Sequence, residues 1–428
     1  MAEAATALAL DPASPPSRVR HGVLALTLSM IAVAYLDRIC IATAAPAIKT
    51  DLGLSDTQMG LVFSAFTLAY ALFEVPSGWF ADRFGARLAL TRIVLWWSAM
   101  TAATGLAVGF YSLFVVRLLF GMGEAGALPA TARVYARWLP ATLRGRAFGL
   151  LIMAGALAGA ATQPLVVALL RVMGWHHAFV IFGVLGVVWA GAWWIWFRDD
   201  PREHPNVNAG ELQILASAGV DPAAHHTSMP WRRLFSNRSL TMVCAMYFSA
   251  IYGWYFYLTW LPTYLLRARG FDLTAVGWLA ALPLLAIAGG VFLGGWLSDA
   301  FTHRWGARAG RRAPGLVGLP LAAVAIVSAV VTPSPLLSAL MLSAAAGLAA
   351  LGIAPAWAVC LEIGGPHAGV VSGSMNMFGN LGGALSPVAV GLCVDRLGSW
   401  DAPLFSIAAF YVIAALCWLA VDSTQGLG

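Results

Sequence analysis

The stretch that decides the fold is GWFADRFGAR at residues 78–87, which has a partial copy, GWLSD, at residues 295–299. Each stretch places a glycine four residues before an aspartate, and each follows a long apolar run. The copies occupy corresponding places in the two halves of the chain. A parallel duplication in an apolar chain predicts two helical bundles related by an axis along the membrane normal.

The composition predicts that the lipid bilayer is the solvent of this chain. Of its 428 residues, 60% are hydrophobic and 10% are charged, and its mean hydropathy is +0.79. Soluble domains carry about 25% charged residues, so a soluble multidomain enzyme is not expected. Apolar runs of about 20 residues are long enough to cross a bilayer, and the chain offers twelve of them, six on each side of the polar stretch 198–237.

The predicted fold class is therefore an all-α membrane protein with twelve transmembrane helices in two bundles of six. The predicted divisions are a cytoplasmic tail at 1–20, an N-terminal bundle at 21–197, a cytoplasmic inter-bundle loop at 198–237, a C-terminal bundle at 238–422 and a cytoplasmic tail at 423–428.

The distribution of basic residues predicts the orientation of the chain. Eighteen of the 25 Lys and Arg residues lie in the segments on one side of the predicted membrane, and five lie on the other side. Positive charge accumulates on the cytoplasmic side of membrane proteins, so both termini are expected there. This asymmetry also accounts for the net charge of +6 without a nucleic-acid partner.

Five ionisable residues lie inside the predicted spans: Asp37, Arg38, Glu74, Arg117 and Glu124. Each costs about 2.5–3.5 kcal/mol at a helix centre, so each is expected to pair or to face water. Arg117 and Glu124 are seven residues apart, which brings them to one helix face about 10 Å apart. That face is expected to meet Asp37 and Arg38.

Two interpretations of this group are open. The charges could form a salt-bridge cluster that only joins the first and fourth spans. Alternatively, they line a central cavity, where arginines bind an anion and carboxylates bind a proton. A guanidinium stays charged and can grip two oxygens of one carboxylate. Burial favours the protonated form of a carboxyl group and a nearby arginine favours the ionised form, so such a group can load and unload a proton.

Polar residues also mark the second half of the chain. Ser372, Asn376 and Asn380 are spaced four residues apart, so they share one helix face. They could serve helix packing or donate and accept hydrogen bonds with substrate hydroxyls. Tyr252 and Tyr255 lie deep in the seventh span and could contact the same pocket.

The duplicated stretch resembles the signature loop of the major facilitator superfamily, and the layout of six plus six spans covers the whole chain. The resemblance implies that Gly78, Asp82 and Arg83, with Asp299 in the second copy, form a cytoplasmic latch. The second copy departs from the pattern, because no arginine follows Asp299 directly, although Arg304 and Arg308 come later. The latch is therefore expected to be weaker in the second half.

Three further stretches, YLDR at 35–38, RLLFGMGEA at 117–125 and YLTWLPTYL at 257–265, resemble the anion:cation symporters. That branch includes bacterial galactonate, glucarate and hexuronate transporters and is similar to animal sialin. The resemblance implies that the arginines bind a substrate carboxylate and that the carboxylates carry protons. The residues concerned are Arg38 and Arg117 for binding, Asp37 and Glu124 for protons, and Tyr70 for lining the pocket.

Two further features concern the side of the pocket that leads to the cytoplasm. Glu74 lies one turn after Tyr70 and just before Pro76, where gating and proton coupling are both open. At residues 138–145 the chain reads WLPATLRG, with Leu143 where the family usually has glutamate. This departure concerns the cytoplasmic gate rather than the pocket.

The sequence as a whole predicts a proton-coupled symporter that takes up an organic anion by alternating access. The expected anion is a sugar acid such as a hexonate, an aldarate or a hexuronate, and the expected location is a bacterial inner membrane. We expect a monomer with no cofactor besides the coupling proton, no metal and no catalytic residues. The alternatives are an exporter or exchanger on the same fold and, more remotely, an anion-sensing receptor.

Overall fold

The computed structural model describes residues 15–216, 237–365 and 368–424. The first half is built from seven helices: α1 Val19–Leu52, α2 Asp56–Phe84, α3 Ala86–Thr104, α4 Phe110–Glu124, α5 Ala127–Trp138, α6 Ala141–Val172 and α7 Trp175–Trp196. A short helix, α8 (Ala209–Ala216), follows. The second half contains α9 Arg238–Thr259, α10 Leu261–Arg267, α11 Leu273–Trp305, α12 Ala307–Val331, α13 Pro335–Ala350, α14 Ile353–Gly364, α15 Ala368–Leu397 and α16 Asp401–Ala420.

The helices confirm the predicted all-α fold class. If α4/α5, α9/α10 and α13/α14 each count as one broken rod, the described residues form twelve long rods. Nine rods in the described ranges are long and apolar enough to cross a membrane. The other three rods remain predicted spans. They are α2, α3 and the pair α9 with α10.

The rods pack as two bundles that meet along two equivalent seams. In the first bundle α1 packs on α6, α2 on α4 and α3 on α7, and in the second α9 packs on α15, α11 on α13 and α12 on α16. Between the bundles, α2 packs on α15 and α6 on α11. Each seam joins the second rod of one half to the fifth rod of the other, as a parallel duplication predicts.

The two bundles share two opposite ends, the basic face and the distal face. The basic face is the end that holds the start of α1 at Val19 and the end of α16 at Ala420. The distal face is the opposite end, where α1 ends at Leu52 and α10 ends at Arg267. The basic residues of the predicted cytoplasmic segments that lie in the described ranges belong to the basic face, whereas Arg232 and Arg233 lie outside those ranges.

Local sequence sets where several helices begin. At the start of α2, the Ser55 hydroxyl accepts from the Gln58 backbone N–H at 3.1 Å, and the Ser55 N–H donates to the Gln58 side chain at 2.9 Å. At the start of α11, Asp272 accepts from the Ala275 N–H at 2.8 Å. The first N–H groups of a helix have no partner within the helix, so these side chains satisfy them and fix the starting residue.

A glycine breaks the fourth rod directly after Glu124. Gly126 has φ of +90°, a left-handed conformation that disfavours side chains. A Cβ atom there would also lie 2.3 Å from the Cβ of Ser77 on α2. The break therefore lets α5 pack against α2 and leaves Glu124 at the end of α4.

Replacing Gly126 with alanine is expected to lower the Tm of the purified protein by about 5 °C or more, because left-handed strain and overpacking each cost about 1–3 kcal/mol. Thermal denaturation in detergent measures this. The matched control is Gly149→Ala on α6, where an added Cβ meets no atom within 4 Å. Equal Tm values for the two variants would contradict the strain at Gly126.

The first part of the predicted inter-bundle loop packs with the N-terminal bundle. Glu211 on α8 is fully buried. Its carboxylate accepts from the backbone N–H groups of Arg18 at 2.7 Å and Arg20 at 3.1 Å, and it pairs with the Arg20 guanidinium at 2.9 Å. A carboxylate at the start of a helix satisfies unpaired donors and complements the helix dipole. Glu211 thus caps α1 from the loop.

Candidate functional site

The charged residues of α1 and α4 meet between the two helices, as the sequence predicts. The Arg38 guanidinium forms an ion pair with the Glu124 carboxylate through Nη2 and Oε1. The Arg38 side chain is 19% exposed, whereas that of Glu124 is 3% exposed. Arg38 is therefore the more accessible partner of a mostly buried pair.

Aromatic rings surround the Arg38 guanidinium. Its central carbon lies 5.5 Å from the ring centre of Tyr35, 4.9 Å from Phe66 and 5.1 Å from Tyr70. From the second bundle, Tyr255 lies close enough to interact electrostatically with Arg38. Ring faces attract cations within about 6 Å, so Arg38 is held in an aromatic setting to which both bundles contribute. The predicted pocket residues Tyr70 and Tyr255 both belong to it.

Arg117 and Asp37 are buried deeper than the Arg38–Glu124 pair. Arg117 is 1% exposed and Asp37 is fully buried. Among the described residues, the Arg117 atoms Nε and Nη1 have no hydrogen-bond partner, and the Asp37 carboxylate lies beside the Thr101 hydroxyl without a hydrogen bond of good geometry. The two side chains do interact electrostatically. Buried polar atoms are normally hydrogen-bonded, so these atoms are available to bind a polar ligand.

This geometry bears on the two interpretations of the charges. The Arg38–Glu124 pair is expected both for a structural lock and for a binding site. A structural lock predicts in addition that Arg117 and Asp37 pair directly, but no ion pair joins them within 4.0 Å in the described chain. The Arg117 guanidinium carbon lies 4.2 Å from the Phe120 ring centre and 5.4 Å from that of Phe66. Its lack of an ion-pair partner beside the accessible Arg38 favours the binding interpretation.

The amide of Asn376 reaches across the seam between the bundles. Its Nδ2 donates to both oxygens of Glu74, at 3.1 Å and 3.3 Å. Asn380, one turn further along α15, is half-buried, and its side chain makes no hydrogen bond within the described ranges. Ser372 is also half-buried. Of the three predicted amide-face residues, Asn376 therefore contacts a carboxylate in this state and Asn380 is available to a ligand.

Tyr252 lies apart from this group. Its hydroxyl is 3.1 Å from the Ser406 hydroxyl, and its ring centre is 4.2 Å from that of Phe410 on α16. The ring is therefore packed between α9 and α16 within the second bundle. The side chains of Tyr252 and Tyr255 leave the helix in directions about 60° apart. Tyr255 therefore approaches Arg38, whereas Tyr252 faces α16.

The second signature loop obtains its cation from an unexpected position. Asp299 accepts a hydrogen bond at 2.6 Å from Arg311, which also contacts Glu362 at 2.7 Å. Arg308 instead contacts Asp422 at 3.4 Å. The missing arginine after Asp299 is thus replaced by one from α12, because the turn at Gly306 brings the start of α12 back beside the end of α11. Asp299 therefore has an arginine partner, although not the one directly after it in the chain.

The first signature loop is described in part. Arg83 is exposed, and its guanidinium carbon lies 5.6 Å from the Trp79 ring centre. The Asp82 side chain and the side-chain position of Gly78 lie outside the described part of the structure. Nearby, Asp199 accepts from the Ala86 N–H at 2.7 Å and so caps α3.

Sequence reasoning missed a charged cluster at the distal face, formed by Lys49, Asp56, Arg267 and Asp395. The sequence feature that could have revealed this cluster is the presence of opposite charges at the ends of neighbouring spans. In the described chain, no group of His, Cys, Asp and Glu has an arrangement that could hold a metal ion.

The fold is that of a helical membrane protein with two bundles and a group of buried charged residues near the seam between them. A profile of the Major Facilitator Superfamily matches residues 27–387 and, again, residues 269–426. The probable sulfoacetate transporter of Cupriavidus necator is 37% identical over 409 residues, which cover 95% of this chain and 94% of the relative. The chain therefore belongs to the major facilitator superfamily.

Two further comparisons agree with this assignment. The probable galactarate/D-glucarate transporter of Bacillus subtilis is 32% identical over 434 residues, covering 96% of this chain and 93% of the relative. The crystal structure of a bacterial homolog to the human lysosomal transporter Spinster, inward-facing and unoccupied, has a TM-score of 0.80 at 23% identity and covers 96% of this chain and 98% of that chain. The relatives are named as transporters, which confirms that the chain is not an enzyme and is consistent with the anion:cation symporter resemblance.

Proposed function

We propose that the chain takes up an organic anion together with protons, by alternating access, across a bacterial inner membrane. The observation that carries the proposal is the accessible Arg38 beside buried, unpartnered Arg117 atoms, with two carboxylates in the same group. Two guanidinium groups at one site favour a carboxylate or a similar oxyanion as ligand.

Competition for Arg38 is the proposed source of proton coupling. An incoming carboxylate and the Glu124 carboxylate both need the same guanidinium. Transfer of a proton from water to Glu124 removes its charge, so Arg38 becomes available to the substrate. Release of that proton on the other side restores the Arg38–Glu124 pair and expels the anion. Asp37 beside Arg117 is the proposed second proton site.

The second bundle and the relatives support a particular class of anion. Amides such as that of Asn380 both donate and accept hydrogen bonds, as the hydroxyls of a sugar acid require. The galactarate/D-glucarate relative favours an aldarate or a related hexonate or hexuronate. The sulfoacetate relative favours a small sulfonate as the second candidate substrate. Both are organic oxyanions that a pair of arginines can bind.

Orientation and gating complete the proposal. The positive-inside rule assigns the basic face to the cytoplasm, and the bundles rock about the central site as in other transporters with repeated halves. The protein acts as a monomer, since each chain contains both bundles. The Glu74–Asn376 contact lies on the basic-face side of the site and is the proposed inner gate.

Uptake into proteoliposomes tests the proposal directly. With an inward proton gradient, we expect accumulation of one anion from a panel of hexonates, hexuronates, aldarates, simple carboxylates and sulfoacetate, and loss of that accumulation when an uncoupler is added. Accumulation that an uncoupler leaves unchanged for every anion would contradict proton coupling. Counterflow driven only by an opposing anion would support the exchanger alternative, and binding without any flux would support a receptor.

A further inference from the structure

The distal half of the seam between the bundles is closed by direct contact of two helix backbones. A Cβ atom at Gly60 of α2 would lie 2.3 Å from the carbonyl oxygen of Pro387 on α15. A Cβ atom at Gly391 of α15 would lie 2.3 Å from the carbonyl oxygen of Asp56. The Ser64 hydroxyl donates to the Ala384 carbonyl at 2.5 Å. At the two glycines, no side chain separates the helices.

Asp56, the first residue of α2, joins both bundles electrostatically at this closed end. Its carboxylate forms an ion pair with Lys49 of α1 in its own bundle. It also accepts two hydrogen bonds from Nη1 of Arg267, the last residue of α10 in the other bundle, at 2.8 Å and 2.9 Å. The Asp56 side chain is only 6% exposed, so solvent screens these contacts less than it screens a surface pair.

A second link crosses the same seam, and here the carboxylate belongs to the second bundle and the donors belong to the first. The carboxylate of Asp395 on α15 accepts from the backbone N–H of Asp56 at 3.1 Å and from that of Thr57 at 2.6 Å. These N–H groups belong to the first two residues of α2 and have no acceptor within the helix. A residue of the second bundle therefore caps a helix of the first.

These links lie between the central site and the distal surface. A cavity of about 600 Å³ borders them, lined by Asp56, Arg267, Asp395 and Trp400 among others. Beside it Gly391 meets the carbonyl oxygen of Asp56, and one turn further toward Arg38 and Glu124 Gly60 meets that of Pro387. An anion that enters between α2 and α15 from the distal side can reach the central site only after these links break.

We propose that Asp56, Arg267 and Asp395 form the distal gate, with Asp56 as its centre. This inference rests on the proposed alternating-access function. The gate combines backbone contact at glycines with a charge pair in which Asp56 is 6% exposed and Arg267 is 45% exposed. Such a closure fixes the register of α2 against α15 and is weak enough to reopen in every transport cycle.

The gate is tested by thiol labelling from the distal side. Ser64→Cys places a reporter in the closed part of the seam, where Ser64 is 9% exposed. A membrane-impermeant thiol reagent is added on the distal side, and the rate of labelling is measured by mass shift. The same protein without Ser64→Cys gives the background of the five native cysteines, of which Cys393 and Cys417 are half-buried.

We expect Asp56→Asn and Arg267→Gln each to raise the labelling rate of the reporter about fivefold or more, because both variants shift the population toward the open state. Asp56→Glu keeps the charge and is expected to retain slow labelling. The matched control is Arg396→Gln, an exposed arginine beside Asp395 with no hydrogen bond or ion pair to a described residue. It should label at the rate of the parent.

Unchanged labelling in both Asp56→Asn and Arg267→Gln would overturn the gate. If Asp56→Asn does not fold, Arg267→Gln decides the result alone, since it leaves the Lys49–Asp56 pair in place. The measurement needs neither a substrate nor a proton gradient. Failure of the proposed transport function would therefore appear in the uptake assay and leave the labelling result unaffected.

Discussion

Replacing Arg38 with alanine is expected to weaken substrate binding about 30- to 5000-fold. Truncating one partner of a buried, hydrogen-bonded charge pair costs about 2–5 kcal/mol. The variant removes the accessible guanidinium and leaves the Glu124 carboxylate without its ion-pair partner, so its negative charge repels the anion as well. Substrate-induced thermal shift or calorimetry on the purified protein measures the effect.

A second substitution separates charge from geometry. Arg38→Lys keeps the positive charge but loses the planar fork that can grip two oxygens, so we expect a clear but smaller loss of affinity. Arg396→Gln serves as the control, because it removes an arginine from the distal end of α15 rather than from the centre. Binding by Arg38→Ala within about twofold of the parent would place the substrate elsewhere.

Replacing Glu124 with glutamine is expected to abolish accumulation against a gradient while exchange of substrate across the membrane continues. Glutamine has nearly the same shape as a protonated glutamate and cannot release a proton. Arg38 is then permanently free of its competitor, so the site binds and exchanges anions without coupling to the proton gradient. Uptake and counterflow in proteoliposomes, measured on one preparation, separate the two activities.

The control for this variant is Glu203→Gln, which alters an exposed carboxylate near the basic face and should retain both activities. Equal loss of accumulation and counterflow in Glu124→Gln would mean that Glu124 supports the structure of the site rather than carrying a proton. Asp37→Asn, examined in the same way, shows whether the second carboxylate is also needed for coupling.

The sequence was sufficient for the membrane class and for the core of the site. The spacing of Arg117 and Glu124 on one helix, and the cost of leaving them in lipid, predicted their meeting with α1. The structure confirms that meeting through the Arg38–Glu124 pair. Helix periodicity decides which residues of one span share a face, and burial cost decides that charged faces seek each other.

Helix periodicity does not predict the contacts between residues of different helices. Glu74 and Asn376 are 302 residues apart in the chain, and Arg311 reaches Asp299 across a helical hairpin. Such contacts depend on how far two helices slide and rotate against each other. The same holds for Tyr252, whose ring direction depends on the packing of α9 against α16.

The cap that Glu211 places on α1 has a consequence for the biosynthesis of the protein. The backbone N–H of Arg18 lies 193 residues before its acceptor. While the chain is being made, the helix that carries Asp37 and Arg38 therefore emerges from the ribosome long before its first turn can be completed. A nascent chain that stops before residue 211 lacks this closure, even though all six rods of the first half have already been synthesised.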